Sequence, residues 1–248
     1  MRIHYEVRGD GPVILLAHGY GATAGMWTDQ LDALSDHWRV VALDLRGHGQ
    51  SDSPDDPALY SEAHTVADML AVLDATNTDR NAQAVIGGLS LGGYMSLAFH
   101  CAHPERTRAL LLFDTGPGYR SDEARAGWNR FAERQALKFE ERGLDALPRG
   151  EETARATHRS ATGLALAARG MLAQTDAHVI DALPEIDVPV LVLVGGRDEA
   201  YFASTDYMAG KIPGARKVVI DDAGHAANLD QPQAFNAAVR AFLETLPD

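Results

Sequence analysis

Six apolar, β-branched runs punctuate this chain, and their spacing constrains its fold more than any other feature. Pro12–His18, Arg39–Asp44, Ala82–Gly88, Thr107–Asp114, Val188–Gly196 and Ala215–Ile220 are continuous rather than alternating. That is the pattern of parallel strands covered on both faces. Amphipathic helical segments lie between them. Val66, Met69, Leu70 and Leu73 mark one apolar face; Phe235, Val239, Phe242 and Leu246 mark another, in a helix that begins at Pro232, where a missing N–H costs nothing. Strand and helix in alternation predict an α/β chain with an open, mostly parallel, doubly wound sheet. The opening Ile3–Gly9 alternates instead, and it reaches the next strand through Gly9-Asp10-Gly11-Pro12. This predicts an antiparallel hairpin at the sheet edge.

One interval breaks the rhythm. Residues 116–184 contain no strand candidate, only helix-forming sequence rich in Ala, Arg and Glu, with Pro148, Arg149 and Gly150 separating two helices. Connections within α/β units usually take ~2–6 residues. The interval is therefore expected to be a helical lid inserted late in the sheet, with residues 1–115 and 185–248 forming the core. At 248 residues a single domain is the default, since one hydrophobic core keeps growing to about 250–300 residues.

Charge and cysteine content exclude several classes of partner. The formal net charge is −13, whereas nucleic acid and anionic membrane surfaces call for a basic patch. Cys101 is the only cysteine, so no internal disulfide forms and no oxidising compartment is implied. Neither a signal-peptide-like apolar run at the start nor a stretch of the ~20 apolar residues that span a bilayer is present. The expectation is a soluble cytoplasmic protein whose partner is a small molecule, with a homodimer left open.

Chemistry concentrates at three strand ends. Gly88-Leu89-Ser90-Leu91-Gly92 falls between the strand Ala82–Gly88 and the helix that follows. A serine on such a turn projects its hydroxyl above the sheet, and the flanking glycines permit close backbone approach. A serine hydroxyl needs a base, and the base needs an orienting acid. Asp198 follows the strand Val188–Gly196, and His225 follows Ala215–Ile220. Each residue is unremarkable alone, an Asp that caps a turn or a His on a loop, but Ser, Asp and His in this order past three different strands read as a catalytic triad. An oxyanion site is also required. The turn His18-Gly19-Tyr20-Gly21 offers the backbone N–H of Tyr20, to be joined by that of Leu91, while His18 is expected to brace the turn.

Taken together, HGYGAT, DLRGHGQSD, GLSLGG, LVGGRDEA and AGHAANLDQPQAF resemble the α/β-hydrolase superfamily over nearly the whole chain, closest to small carboxylesterases and the 3-oxoadipate enol-lactonase-like branch. The resemblance implies hydrolysis of a small-molecule ester or lactone through an acyl-serine intermediate, without cofactor or metal. Ser90 counts against the dehalogenase and epoxide-hydrolase branches, whose nucleophile is an acid. Carbon–carbon bond hydrolases and perhydrolases keep the serine and stay open.

Two readings of another class compete. Gly19, Gly21 and Ala24 meet the pattern G-x-G-x-x-A, with Asp44 about 20 residues on, as in a dinucleotide fingerprint. Against this, the helical periodicity begins only near Met26 and Trp27, and the triad is left unexplained. A non-catalytic small-molecule receptor of the same fold has no need of an activated serine. Among lesser candidates, Asp114 is an alternative acid for His225, and Arg46 and His48 order their loop. Trp27 and Trp128 are candidates for the pocket wall. Residues 120–170 carry nine Arg and one Lys against eight acidic residues; Arg130, Arg155 or Arg159 would be the residue to meet a substrate carboxylate, the plainer reading being pairing on solvated helix faces.

Overall fold

A computed structural model describes every residue except Thr78, Arg80 and Asp248. The expected runs become strands β1 (Tyr5–Arg8), β2 (Val13–Ala17), β3 (Arg39–Leu43), β4 (Ala84–Leu89), β5 (Thr107–Phe113), β6 (Val190–Gly195) and β7 (Arg216–Ile220). They form one sheet in the order β1-β3-β2-β4-β5-β6-β7, parallel except for β1. Successive residues of a strand face opposite sides, and here both sides are covered. Leu15, Val41, Ile86, Leu110 and Leu112 pack on one face with α2 (Glu62–Thr76) and α3 (Leu91–Ala102). Ile14, Val40, Val85, Leu111 and Phe113 pack on the other with α1 (Thr28–Leu34) and α10 (Pro232–Leu243). Double coverage is why these runs do not alternate. Each fully buried aliphatic side chain is worth ~1.5–3 kcal/mol.

The first strand departs from the expected hairpin. β1 is an antiparallel edge strand, but it pairs with β3, with Tyr5 opposite Leu43, and not with β2. Both edges of β2 are already taken by β3 and β4. The Gly9–Pro12 segment therefore crosses the start of β3, where Arg39 N–H donates to the Pro12 carbonyl at 2.9 Å. Gly9 has φ 77°, and a side chain there would strike the carbonyls of Ser35 and Trp38. The glycines serve a close crossing rather than a two-strand turn.

Between β5 and β6 the chain runs through α4 (Asp122–Arg142), α5 (Glu151–Ala154), α6 (Ala161–Ala167) and α7 (His178–Ala182), with one wide helical turn at Ala168–Leu172. Ser121 caps α4 and Ser160 caps α6, each accepting from a backbone N–H in the first turn. The core is completed by α8 (Glu199–Lys211) and α9 (Ala227–Asp230). Among the described residues no helix is long and apolar enough to cross a membrane.

The strand order reverses direction between β2 and β4, because β2 leads leftward to β3 and the chain then crosses back to β4. Open α/β sheets bind ligands at the carboxyl ends of strands beside such a switch point. Here α3 passes so close to β2 that a side chain on Gly92 would strike the Ala17 carbonyl. Gly92→Ala should therefore cost at least ~1–3 kcal/mol despite the better helix propensity of Ala. Gly210→Ala, in the last turn of α8 with nothing near its Cβ position, should instead gain up to ~1 kcal/mol. Urea denaturation of the two variants checks the opposite signs.

Candidate active site

Ser90 joins β4 to α3 with φ 54° and ψ −115°, a left-handed conformation that a non-glycine residue rarely adopts. Such strain costs ~1–3 kcal/mol and persists only where neighbours enforce it. The Ser90 N–H donates to the Phe113 carbonyl at 3.0 Å, and the Thr115 hydroxyl donates to the Ser90 carbonyl at 2.6 Å. A Cβ on Gly88 would lie 2.6 Å from the Ala17 carbonyl oxygen, so only glycine fits there. The turn thus holds the serine at the floor of a cavity of about 520 Å³.

Asp198 and His225 meet. The His225 ring donates from Nδ1 to Asp198 Oδ2 at 2.7 Å, which assigns the free lone pair to Nε2. Asp198 is buried at the start of α8, following β6, and His225 follows β7. The Tyr201 ring stacks on the imidazole with centroids 4.8 Å apart. Burial pushes the Tyr201 phenol up to about 12, opposed by the Ser90 hydroxyl beside it. Tyr201 thus neighbours both Ser90 and His225. Among the described residues, no hydrogen bond joins the Ser90 hydroxyl directly to the His225 ring.

Burial disfavours charge on His225, but the bond to Asp198 and the charges of Glu152, Asp198 and Asp114 outweigh it and raise its pKa above the ordinary histidine value. Asp114 does not take the place of Asp198. Its Oδ1 accepts from Gly195 N–H at 2.7 Å, and its Oδ2 is buried without a partner. Burial first, and then the neighbouring Asp198, push the Asp114 carboxyl up to about 8, so it is an uncharged acid at neutral pH. Asp114, Asp198 and His225 offer ligand atoms within 4.8 Å of one another. An ion shared by His225 and Asp198 at bonds of ~2.1 Å would hold their ligand atoms about 3 Å apart; the shorter contact is a direct hydrogen bond.

The turn after β2 is braced from beneath. His18 is fully buried; its Nδ1–H donates to the Gly19 carbonyl at 2.7 Å, and its Nε2 accepts from Leu45 N–H at 3.0 Å. Burial pushes its pKa down to about 4, which keeps the ring neutral and able to accept. Leu91 opens α3, where no intrahelical acceptor exists for its N–H. Among the described residues no protein acceptor takes the backbone N–H of Tyr20 or of Leu91. Asp44, the acid of the dinucleotide pattern, has both oxygens engaged: Oδ1 accepts from Ala24 N–H at 2.7 Å and Oδ2 from Gln50 N–H at 2.8 Å. No helix begins inside the Gly19–Gly21 turn, since α1 starts at Thr28. Arg46 orders its loop, donating to Asp68 at 2.7 Å and to the His64 carbonyl at 3.0 Å.

The two tryptophans separate. Trp128 lines the cavity, with its indole N–H held by the Leu172 carbonyl at 2.7 Å. Trp27 does not: it is fully buried on the far face of the sheet between Phe113 and Phe235. A tryptophan just after a glycine turn packs beneath the strand as readily as above it, and the apolar side won. None of the three arginines faces the cavity either. Arg130 and Arg159 are exposed, and Arg155 reaches Asp29 at 3.3 Å.

Glu152 was not singled out by any sequence signal, because it lies in a charged stretch that looks like solvated helix. Its carboxyl is carried by α5 onto Gly19, where any side chain would strike it. Burial raises its pKa, opposed by His225.

A family model described as the alpha/beta hydrolase family matches residues 14–238. The pimeloyl-(acyl-carrier protein) methyl ester esterase of Chromobacterium violaceum is 31% identical over 99% of this chain and 99% of its own. The 3-oxoadipate enol-lactonase 2 of Acinetobacter baylyi is 28% identical over 96% of this chain and 90% of its own. A thermophilic esterase from Thermogutta terrifontis superposes with a TM-score of 0.82 at 29% identity, covering 98% of this chain and 93% of that one. With the left-handed serine at the switch point and a carboxylate-bound histidine two strand ends away, these matches show that the chain belongs to the α/β-hydrolase family.

Proposed function

We propose that this chain is a serine hydrolase of small-molecule carboxylic esters or lactones, acting through an acyl-serine intermediate. The observation that carries the reading is the 2.7 Å bond from His225 Nδ1 to Asp198. It leaves Nε2 as a proton acceptor one aromatic ring away from a strained serine that floors a cavity. Relatives whose names are esterase and enol-lactonase support the bond type.

In the proposed reaction His225 Nε2 takes the proton from Ser90 as the hydroxyl attacks the ester carbonyl. Asp198 keeps the imidazole in the useful tautomer and stabilises the imidazolium. The backbone N–H groups of Tyr20 and Leu91 receive the oxyanion, usually the largest single catalytic contribution. The imidazolium then protonates the departing alcohol, and the neutral ring activates water to release the acid. Closing the short gap between Ser90 and His225 is expected on substrate binding, since catalytic hydrogen bonds are often loose without ligand. In this reading residues 116–184 act as a lid over a core of 1–115 and 185–248. The position of Trp128, Leu172 and Gln174 in the cavity wall supports it.

Ser90→Ala should abolish hydrolysis of para-nitrophenyl acetate and labelling by a fluorophosphonate probe; retained labelling would move the nucleophile elsewhere. The base must be neutral, so rate falls as pH drops through the His225 pKa. Because that pKa is raised, the acid limb of kcat/KM should have its midpoint above about 6.5. Glu152→Gln removes a carboxylate that favours the imidazolium, and should move the midpoint to lower pH. A pH–rate series on both proteins reads the shift.

A further inference from the structure

The cavity wall is uncharged. Among the described residues that line it there is no Lys, Arg, His, Asp or Glu. Its bulk is aromatic: Tyr94, Tyr119, Trp128, Tyr201 and Tyr207. Two of these have their polar tips occupied outside the cavity, with the Tyr94 hydroxyl on Glu62 at 2.8 Å and the Trp128 N–H on the Leu172 carbonyl. They therefore present carbon, and not hydrogen-bonding atoms, to whatever enters.

Every cation close to the wall already has a carboxylate. Arg120 is bound to Asp181 at 2.5 Å, and Arg125 to Asp122 and to the Tyr119 and Arg120 carbonyls. His178 lies between Glu62 at 3.1 Å and Asp176. At the catalytic end the groups facing the space are Asp198 and Glu152. An anionic arm entering here would lose its water, find no free cation, and approach carboxylates at both ends.

One polar group in the wall is unpaired. Gln174 is 8% exposed, and its Oε1 is buried with no hydrogen-bond partner. Its backbone is clamped on both sides by Asn129, whose Oδ1 accepts from the Gln174 N–H and whose Nδ2 donates to the Gln174 carbonyl, each at 2.8 Å. Gly118, with φ 89°, leaves room directly over that oxygen, since a Cβ there would lie 2.9 Å from it. A buried acceptor held rigidly and left unmade costs free energy until something donates to it.

We infer that the substrate is an uncharged ester whose non-reacting arm is aromatic and ends in a hydrogen-bond donor that reaches Gln174. This rests on the serine-hydrolase reading above. It departs from a dicarboxylate preference, because the walls supply nothing to neutralise a second carboxylate.

The test compares ethyl esters of three arms: phenylbutyrate, hydroxyphenylbutyrate, and adipate as its monoethyl ester, which is anionic. The wild-type enzyme should favour either aromatic ester over monoethyl adipate by about 100-fold or more in kcat/KM. It should favour the hydroxyphenyl arm over the phenyl arm, and Gln174→Leu should reduce that preference about tenfold. Comparable rates on monoethyl adipate, or a hydroxyphenyl-to-phenyl ratio unchanged in Gln174→Leu, would overturn the inference while Ser90-dependent turnover keeps the hydrolase reading intact. Absence of turnover on all three esters would instead sink the hydrolase reading. The inference is then decided by calorimetric binding of the same esters to Ser90→Ala, where tighter binding of monoethyl adipate overturns it and tighter binding of the hydroxyphenyl ester upholds it.

Discussion

The carbonyl of Ala17 packs against the bare Cα atoms of Gly88 and Gly92. This contact draws the end of β4 and the start of α3 onto the end of β2. With the backbones so close, the single residue that turns from strand to helix has no room for an ordinary conformation, and Ser90 takes φ 54°. The same contact sets the oxyanion turn beside the serine, because His18–Gly21 is the continuation of β2. Two backbone donors from different strands can converge on one point only if those strands are neighbours, which the sheet order secures. The unfavourable torsion at Ser90 is repaid by the apolar layers on both faces of β2 and β4, whose residues are almost entirely buried.

Around His225 the protein gathers more negative charge than one imidazole can balance. Asp198 is hydrogen-bonded to it, Asp114 lies behind, and Glu152 arrives from the helical segment. Three ionised carboxylates in a buried space would repel one another, so the arrangement survives by protonation. Burial leaves Asp114 neutral at ordinary pH. Its carboxyl then acts as a dipole next to Asp198, while Asp198 keeps the charge that orients the ring. Two acids of the same type thus differ in state because one has a histidine and the other a backbone N–H.

Much of this was legible in the sequence. A strand buried on both faces has no polar face to show, and continuous runs such as Val190–Val194 announced both the strands and the sheet. Ser90, Asp198 and His225 were legible as an ordered set because each must follow a strand to reach the same rim. The partner of β1 was not legible, since it depends on which edges of β2 are free. Trp27 was misplaced because sequence does not say which face of the sheet a residue takes after a loop. Glu152 and Gln174 were hidden for a related reason. In a helical segment without strands to fix its position, the side chain that reaches the centre is chosen by tertiary packing, and a glutamate that does so is spelled like one that does not.

The helical segment is fastened to the core at the oxyanion turn itself. Tyr20 donates its hydroxyl to the Leu164 carbonyl at 2.8 Å. His158, kept neutral by burial, accepts from Gly49 N–H at 3.0 Å and donates to the Gly21 carbonyl at 2.9 Å. These are the rivets of one joint, and they cross directly over the peptide whose N–H must be aimed. Lifting the segment at that end would unfasten the aim together with the cover, so admission and disarmament are mechanically one event there. A molecule that enters without disturbing the machinery must come in past the opposite margin, where the segment's grip on the sheet does not run through the reacting groups.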